Sequence, residues 1–577
     1  MCGISGYVGT TIGKENLSQM VFSQHHRGPD ASGVYEDTGF ADLGHNRLSI
    51  IDLSAEANQP FTDASGRYVM VYNGEVYNYK EIRDSLQGHY NFRTQSDTEV
   101  VLAAYIHFGP DCLQRFNGMF AFAIWDTHSK SLFAARDRFG VKPFYYTQTK
   151  DGFYFASEIK ALKKVTETEL NSSVFANYFA FGSYGMPDET FYSGIHQLPG
   201  GHSLVCNASD IKINRWYNFE ERVSQIPTNL SLEQVKQYYT ELLKDCISLR
   251  FRADVPVGIN ISGGIDSSLL LSLVNLRDDA PQIKAYTFYT GDSRYDELPW
   301  VEAMIQHTKT PLTKLGFTAE EVSEFAKIIS RFQEEPFGGI PTLAYAKIFK
   351  QAQKDGVKVL LDGQGMDEAW AGYDYYHTRS QQTIQGQSAG GSPFKIRCLQ
   401  PSFLALATKP KYPEPFDNAL QNKQYRDLFY TKIPRALRFN DRISMAFSTE
   451  LREPFLDYRL VEFAFAQSEQ YKLQNGQSKF VLREILGDLV TNKVVNAPKR
   501  ALQTPQREWM GGELKSTMKQ AIDDLKASSY SDWFDFKEIQ SEWDSYQNGN
   551  QESSFHLWQW MNFSLLANEK TNSNHGI

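Results

Sequence analysis

Cys2 becomes the first residue once the initiator methionine is removed, and it then carries a thiol and a free α-amino group on one Cα. Such a residue holds its own base. The ordinary α-amino pKa of about 7.7–8.0 lies close enough to neutrality for that group to take the thiol proton, so nucleophilic attack needs no separate histidine. A second constellation lies mid-chain, where Ser262-Gly263-Gly264-Ile265-Asp266-Ser267-Ser268 joins the apolar run 255–261 to the apolar run 269–276. In a strand-to-helix loop, two glycines let backbone N–H groups turn inward and the helix N-terminus adds partial positive charge, which together favour phosphate. By itself the same sequence is also an ordinary Gly-Gly turn with a helix cap. Further on, Leu361-Asp362-Gly363-Gln364-Gly365-Met366-Asp367-Glu368 follows another apolar run. It would bring Asp367 to the same carboxyl edge of a sheet as Asp266, and two aspartates from adjacent loops suit Mg²⁺. The plainer reading of Asp367-Glu368 is the acidic start of a helix.

The elements around these residues change character along the chain. Up to about residue 205, short β-runs alternate with turn residues. Residues 119–126 read as a hairpin with 131–136, and 143–147 as one with 153–156. Asn73-Gly74 reads as a type I′ hairpin turn between 68–71 and 76–77. Residues 206–230 are polar and irregular, and the linker is placed there. Val235, Tyr238, Tyr239, Leu242, Leu243, Cys246 and Leu249 then recur at helical spacing. Strands at 283–290 and 357–361 alternate with helices at 298–309, 319–332 and 341–354, the second opened by a Thr318/Glu321 capping box. That alternation predicts an α/β fold with a mainly parallel, doubly wound sheet. Residues 381–393 are rich in Gln, Ser and Gly and read as a loop, 514–566 as helical, and the stretch from 569 as a frayed tail.

The whole chain of 577 residues is too long for one core. Its domains are placed at 1–205 and 231–577. Hydrophobic residues at 41% and charged residues at 22% describe a folded globular protein. No apolar run suits a membrane span and no secretory leader is read at the N-terminus, so a cytoplasmic location is expected. Five scattered cysteines without C-x-x-C spacing read as reduced thiols, and a net charge of −9 without a basic run argues against a nucleic-acid partner.

Four N-terminal motifs carry a family resemblance: His26-Arg27-Gly28-Pro29-Asp30, Gly44-His45-Asn46-Arg47-Leu48-Ser49-Ile50, Tyr72-Asn73-Gly74-Glu75 and Ser96-Asp97. In this order they resemble the class II glutamine amidotransferases. That resemblance implies an αββα sandwich of the N-terminal-nucleophile hydrolase type. It makes Cys2 the nucleophile, Arg47 the clamp on the glutamine α-carboxylate, Glu75 and Asp97 acceptors for its α-ammonium, and Asn73 with the Gly74 N–H the oxyanion hole. The loop at 262–268 resembles the pyrophosphate loop of the ATP pyrophosphatases. ATP is then expected at Ser262, Gly263, Gly264, Asp266, Ser267, Asp362 and Gly363, with Mg²⁺ at Asp266 and Asp367. Together the halves resemble the asparagine synthetase family, supported by Arg136-Asp137-Arg138-Phe139-Gly140-Val141-Lys142-Pro143, Ser157-Glu158-Ile159-Lys160, Asp441-Arg442-Ile443-Ser444, Glu450-Leu451-Arg452-Glu453-Pro454 and Lys479-Phe480-Val481-Leu482-Arg483. In that family's pattern Lys479 steadies the α-phosphate as pyrophosphate leaves, while Gln364 and Glu368 face the acceptor; Glu450 and Arg452 also read as a buried ion pair.

The implied reaction is glutamine-dependent amidation of a carboxylate through an acyl-adenylate, with aspartate the first acceptor and a homodimer allowed. Relatives often carry Ser-Gly-Glu-Gly where this chain has Asp362-Gly363-Gln364-Gly365, and the glutamate there is credited with handling the proton of ammonia. Gln364 cannot act as that base, and Thr310-Pro311-Leu312-Thr313 lacks histidines common in relatives. Another acid, such as a sugar uronic acid in polysaccharide synthesis or a cell-wall amino acid, is therefore the alternative. An inactive regulatory or scaffold homologue is the remote one.

Overall fold

The computed structural model describes residues 2–9, 14–207, 210–277, 283–377, 392–497 and 503–572, so the passage 381–393 lies outside them but for its last two residues. Two six-stranded antiparallel sheets build the N-terminal half. One runs in spatial order His196–Gln197, Tyr145–Thr149, Gly152–Ala156, Gly3–Gly9, Ala41–Arg47, Ala31–Asp37. The other runs Ile211–Arg215, His202–Cys206, Ser131–Arg136, Gly118–Asp126, Tyr68–Val76, Phe61–Thr62. Both expected hairpins form. Period-two alternation explains why the sheets stack. Ile4, Val8, Leu43, Val69, Val71, Trp125 and Phe155 fill the space between them. Met70 and Tyr72, on the opposite face of their strand, pack with helix Asp97–Phe108. The αββα sandwich is thus formed.

Two local expectations give way. Asn73-Gly74 is not a turn: Tyr68–Val76 is one strand, paired over its full length with Gly118–Asp126. Long-range pairing supplies the hydrogen bonds that a local hairpin would have supplied. The glycine is needed for another reason, since a Cβ there would sit 2.2 Å from the Met119 carbonyl oxygen. Within the stretch read as linker, Ile211–Arg215 pairs with His202–Cys206; its mostly exposed side chains hide the apolar alternation that marks a strand.

The second half holds a five-stranded parallel sheet in the order Leu312–Gly316, Lys284–Tyr289, Val257–Asn260, Val359–Leu361, Glu450–Arg452. Helices Leu232–Arg250, Leu298–Thr308, Ala319–Gln333 and Ile340–Lys354 form where helical periodicity placed them, and the Thr318/Glu321 capping box is present. Its core is continuous with the outer helix layer of the sandwich: Val100 and Leu102 share one apolar cluster with Val235, Leu243, Ile259 and Leu269. The last helix, Phe555–Asn572, runs on past 569, where a frayed tail was expected. No helix among the described residues is long and apolar enough to cross a membrane. All five cysteines are buried and free.

Candidate functional site

The alternation that builds the sandwich also builds its first site. Cys2 immediately precedes strand Gly3–Gly9, and the pairing of Gly3 with Asn46 sets Cys2 opposite Arg47. Arg47 shares a strand face with Leu43, and Asn73 and Glu75 share one with Val69 and Val71, so all of them point into the space between the sheets. The Cys2 backbone N–H donates to Asn73 Oδ1 at 2.9 Å. Among the described residues that leaves Asn73 Nδ2, a buried donor, without a partner. Glu75 Oε2 is likewise a buried acceptor without one. Such groups cost roughly 1–3 kcal/mol each when left unmade, so both call for a ligand.

Arg47 donates to the carbonyls of Ser54, Asp52 and Ile51 and to Asn58 Oδ1. These partners are neutral, so its charge stays available to a carboxylate. Asp97 accepts from the Tyr72 hydroxyl at 2.7 Å and the Val76 N–H at 3.0 Å. Burial, then Asp97 and Glu450, pushes the Glu75 carboxyl well above its ordinary range. Burial also raises the Cys2 thiol, opposed by the Leu48 backbone and Arg47. Cys2, Arg47, Gly74, Glu75 and Asp97 surround a cavity of about 20 Å³, walled by Leu48, Ile50 and Ile51. That is room for about one water.

Three buried arginines tie this site to the second half. Arg27, fully buried, donates through Nε to the Cys2 carbonyl at 3.0 Å and through its terminal nitrogens to Glu158 at 2.8 Å and Asp441 at 2.9 and 3.1 Å. Arg442 meets Glu158 at 3.1 Å and Glu334 at 3.3 Å. Arg452 pairs with Glu450, as its buried-pair reading held, and lies 3.7 Å from Glu75. Only a hydrophilic residue inside a motif, as in His26-Arg27-Gly28, signalled these in sequence. Against the penalty of burial, His26, Lys160 and Arg442 hold the Glu158 carboxyl well below its ordinary range. A depressed carboxylate adds stability above its unfolded pKa and loses it as pH falls through the folded value. Glu158→Gln is therefore expected to cost about 3–5 kcal/mol at neutral pH, as breaking a buried pair does. Denaturation midpoints of variant and parent should converge on acidification; a pH-independent gap would remove the ion-pair account.

The second site sits at the carboxyl edge of the parallel sheet. Gly263 has φ +74°, where a Cβ would press on Trp300 and the Glu297 carbonyl, and Gly264 caps helix Ile265–Asn275 without a side chain to occupy its first N–H groups. Ser262 and Ser267 hydroxyls lie 3.1 Å apart across the loop. Lys479 Nζ donates to both Asp266 oxygens at 2.7 and 2.6 Å and meets Asp367 Oδ1 at 2.7 Å. Against burial, the two aspartates hold its ammonium above the ordinary range. Gly372 makes room for this cluster, since a Cβ there would fall 1.9 Å from Asp367 Oδ1. Ser262, Gly264, Asp266, Ser267, Asp362, Gly363, Gln364, Asp367 and Lys479 line one cleft of about 670 Å³.

Asp362 lines the cleft, but Glu368, also expected there, does not. Asp362 accepts from the Tyr345 hydroxyl and from the Gly363 N–H, and burial raises its carboxyl. Glu368 does not face the cleft: it is buried behind Tyr373, whose hydroxyl donates to it at 2.6 Å. Burial, then Asp367, pushes the Glu368 carboxyl up to about 7. Tyr373 takes the wall position instead. A Met366–Ala369 helix turn explains this, because it sends 367 and 368 to different sides.

Comparison with known proteins agrees with the two-site plan. A family model described as a glutamine amidotransferase domain matches residues 1–217, and one described as asparagine synthase matches residues 239–568. The chain is 28% identical to asparagine synthetase [glutamine-hydrolyzing] 1 of Bacillus subtilis (strain 168), covering 92% of this chain and 91% of that one. To the third such enzyme of that organism it is 29% identical, over 86% of each chain. It is also 28% identical to the amidase chyE of Penicillium rubens, over 92% of this chain and 93% of that one.

Proposed function

We propose, from the premise that this chain belongs to the asparagine synthase family and is a glutamine-dependent carbon–nitrogen ligase, that Cys2 releases ammonia for an acid adenylated at the cleft of Lys479. One observation carries the first half: the unpartnered Asn73 Nδ2 beside Cys2, a donor held for an oxyanion. Cys2 sulfur attacks the glutamine amide carbon as the α-amino group takes the thiol proton. Asn73 and the Gly74 N–H then stabilise the oxyanion, ammonia leaves, and water cleaves the thioester to glutamate. Arg47 holds the α-carboxylate, and Glu75 and Asp97 the α-ammonium. Asn73→Ala is expected to lower kcat for glutamine hydrolysis about 10²–10³-fold with KM little changed. Steady-state kinetics with ammonia detection test this, and a loss confined to KM would make Asn73 a binding group only.

In the second half the family implies ATP use, and ATP is written here as a substrate. The acceptor carboxylate attacks the α-phosphorus, pyrophosphate departs, and ammonia displaces AMP from the acyl carbon. Asp266 and Asp367, two carboxylates gathered on one cation at a phosphate-favouring loop, fit Mg²⁺, which takes one or two protein carboxylates and fills its shell with phosphate oxygens and waters. When bound, that ion would offset phosphate charge. Among the described residues no third His, Cys, Asp or Glu joins them. Water must be kept from the acyl-adenylate, which hydrolyses readily. Aspartate is the acceptor that the relatives' names support. A larger acid is the reading that Gln364 and the neighbouring cavity support. Pyrophosphate release with Mg-ATP and glutamine across a panel of carboxylic acids separates them; silence with every acid would end the adenylation reading. A homodimer is part of the same proposal, tested by solution mass.

A further inference from the structure

We propose that the large cavity beside the ATP cleft seats the acceptor, and that this acceptor is a sugar-like carboxylic acid bearing phosphate, larger than free aspartate. This rests on the adenylation reading above and names the substrate class of that same site. The cavity measures about 1200 Å³, at or beyond the ~300–1,000 Å³ of pockets that enclose drug-sized ligands, and far more than an amino acid fills. It lies between the halves, with Tyr145 and Gln197 from the sandwich facing residues 409–438 of the second half.

Its charge runs against that of the molecule. Seven cationic side chains and four carboxylates line it, in a chain whose net charge is −9. Two of those cations are already engaged, Arg438 by Glu335 at 3.3 Å and Arg426 by the buried Asp427 at 3.3 Å. Lys432, buried, lies 5.0 and 5.4 Å from the ring centres of Tyr373 and Tyr375, and Arg435 lies 5.6 Å from that of Tyr184. Neither has a carboxylate at ion-pair distance among the described residues. Lys409 and Lys411 stand exposed at the outer wall. Planar guanidinium and point-like ammonium groups converging on one space match phosphate oxygens. The aromatic faces of Tyr184, Tyr412 and Tyr430 offer flat, amphipathic walls to the ring that would carry the acid.

The cavity also adjoins the ATP cleft. Tyr184 and Arg435 line both it and the ATP cleft, and Lys432 covers Tyr373, which lines the cleft on its other side. A molecule with its phosphate at Arg435 and Lys411 would thus direct a carboxylate toward Gln364. Gln364 is neutral at the position where it meets that acid, so it adds no repulsion to a multiply anionic substrate.

The test supplies ammonium chloride and Mg-ATP to the full chain and follows pyrophosphate release with aspartate, UDP-glucuronate, glucuronate 1-phosphate and, as the control without a carboxylate, UDP-glucose. A phosphate-bearing acid is expected to give release and an amide product with kcat/KM at least about tenfold above aspartate, UDP-glucose remaining silent. Lys411→Ala should raise KM for that acid about tenfold, the worth of one charge-assisted contact, without moving KM for ATP, and Arg435→Ala should raise KM for the acid at least as much. Lys411 is exposed, so its variant stays informative if Arg435→Ala fails to fold. Release with aspartate alone overturns the proposal while leaving adenylation intact, as does an unmoved KM in both variants. Release with no acid at all overturns the adenylation reading and this one together.

Discussion

Replacing Cys2 by alanine is expected to abolish glutamine-dependent product formation, by at least ~10³-fold, while ammonium chloride still supports it at the parental rate. Losses of this size follow removal of a nucleophile whose partners act as a unit with it. The separation between donors follows from placement. Cys2 lies between two antiparallel sheets, and the cleft of Lys479 lies at the edge of a parallel one, with no lining residue in common. Alanine keeps the backbone N–H that Asn73 Oδ1 accepts, so the sandwich has no reason to rearrange. The two rates are measured in one coupled pyrophosphate assay, with each nitrogen donor in turn. Sustained glutamine use by the variant would remove Cys2 from the chemistry. Equal loss with ammonium would mean that Cys2 acts on the second site through Arg27, which bonds its carbonyl and reaches Asp441.

How much of this arrangement the sequence announced depended on the range of the interactions involved. Helix periodicity and capping are local, and helices such as Ala319–Gln333 begin and end where their side chains say. The hairpins at Gly118–Asp126 and Ser131–Arg136 are nearly as local. Asn73-Gly74 misled because its turn signal is local while its pairing partner lies more than forty residues away. Cys2, Arg47, Glu75 and Asp97 were each legible as site residues, and the cavity brings them together. Arg27, Tyr345 and Tyr373 were not, because their meaning lies in contacts to Asp441, Asp362 and Glu368 that no spacing rule encodes. Glu368 shows the converse: its motif position was plain, but a single helix turn decides which of two adjacent acids meets the cleft.

Lys479→Met is expected to suppress pyrophosphate release about 10²–10³-fold with either nitrogen donor and to leave basal glutamine hydrolysis in place. Lys479 is held in a left-handed conformation, φ +56°, at the start of helix Phe480–Leu486, which aims its ammonium back across the cleft to Asp266 and Asp367. In this posture the lysine neutralises the two carboxylates. On the reading proposed above, Asp266 and Asp367 would hold a divalent ion that offsets phosphate charge, and Lys479 would then be free to turn toward the departing phosphates. Methionine fills similar volume without charge, so two effects oppose each other. Ground-state binding of Mg-ATP is expected to change little, because the divalent ion can take over the aspartates, whereas the transition state loses its cation. A fall in kcat with KM for ATP near parental is the signature of that difference. If KM rose and kcat held, Lys479 would be a nucleotide-binding group alone. If neither moved by about tenfold, the lysine would be only the counter-ion of Asp266 and Asp367, and the stabilising charge would have to come from another cation of the cleft, Arg483 or Arg435.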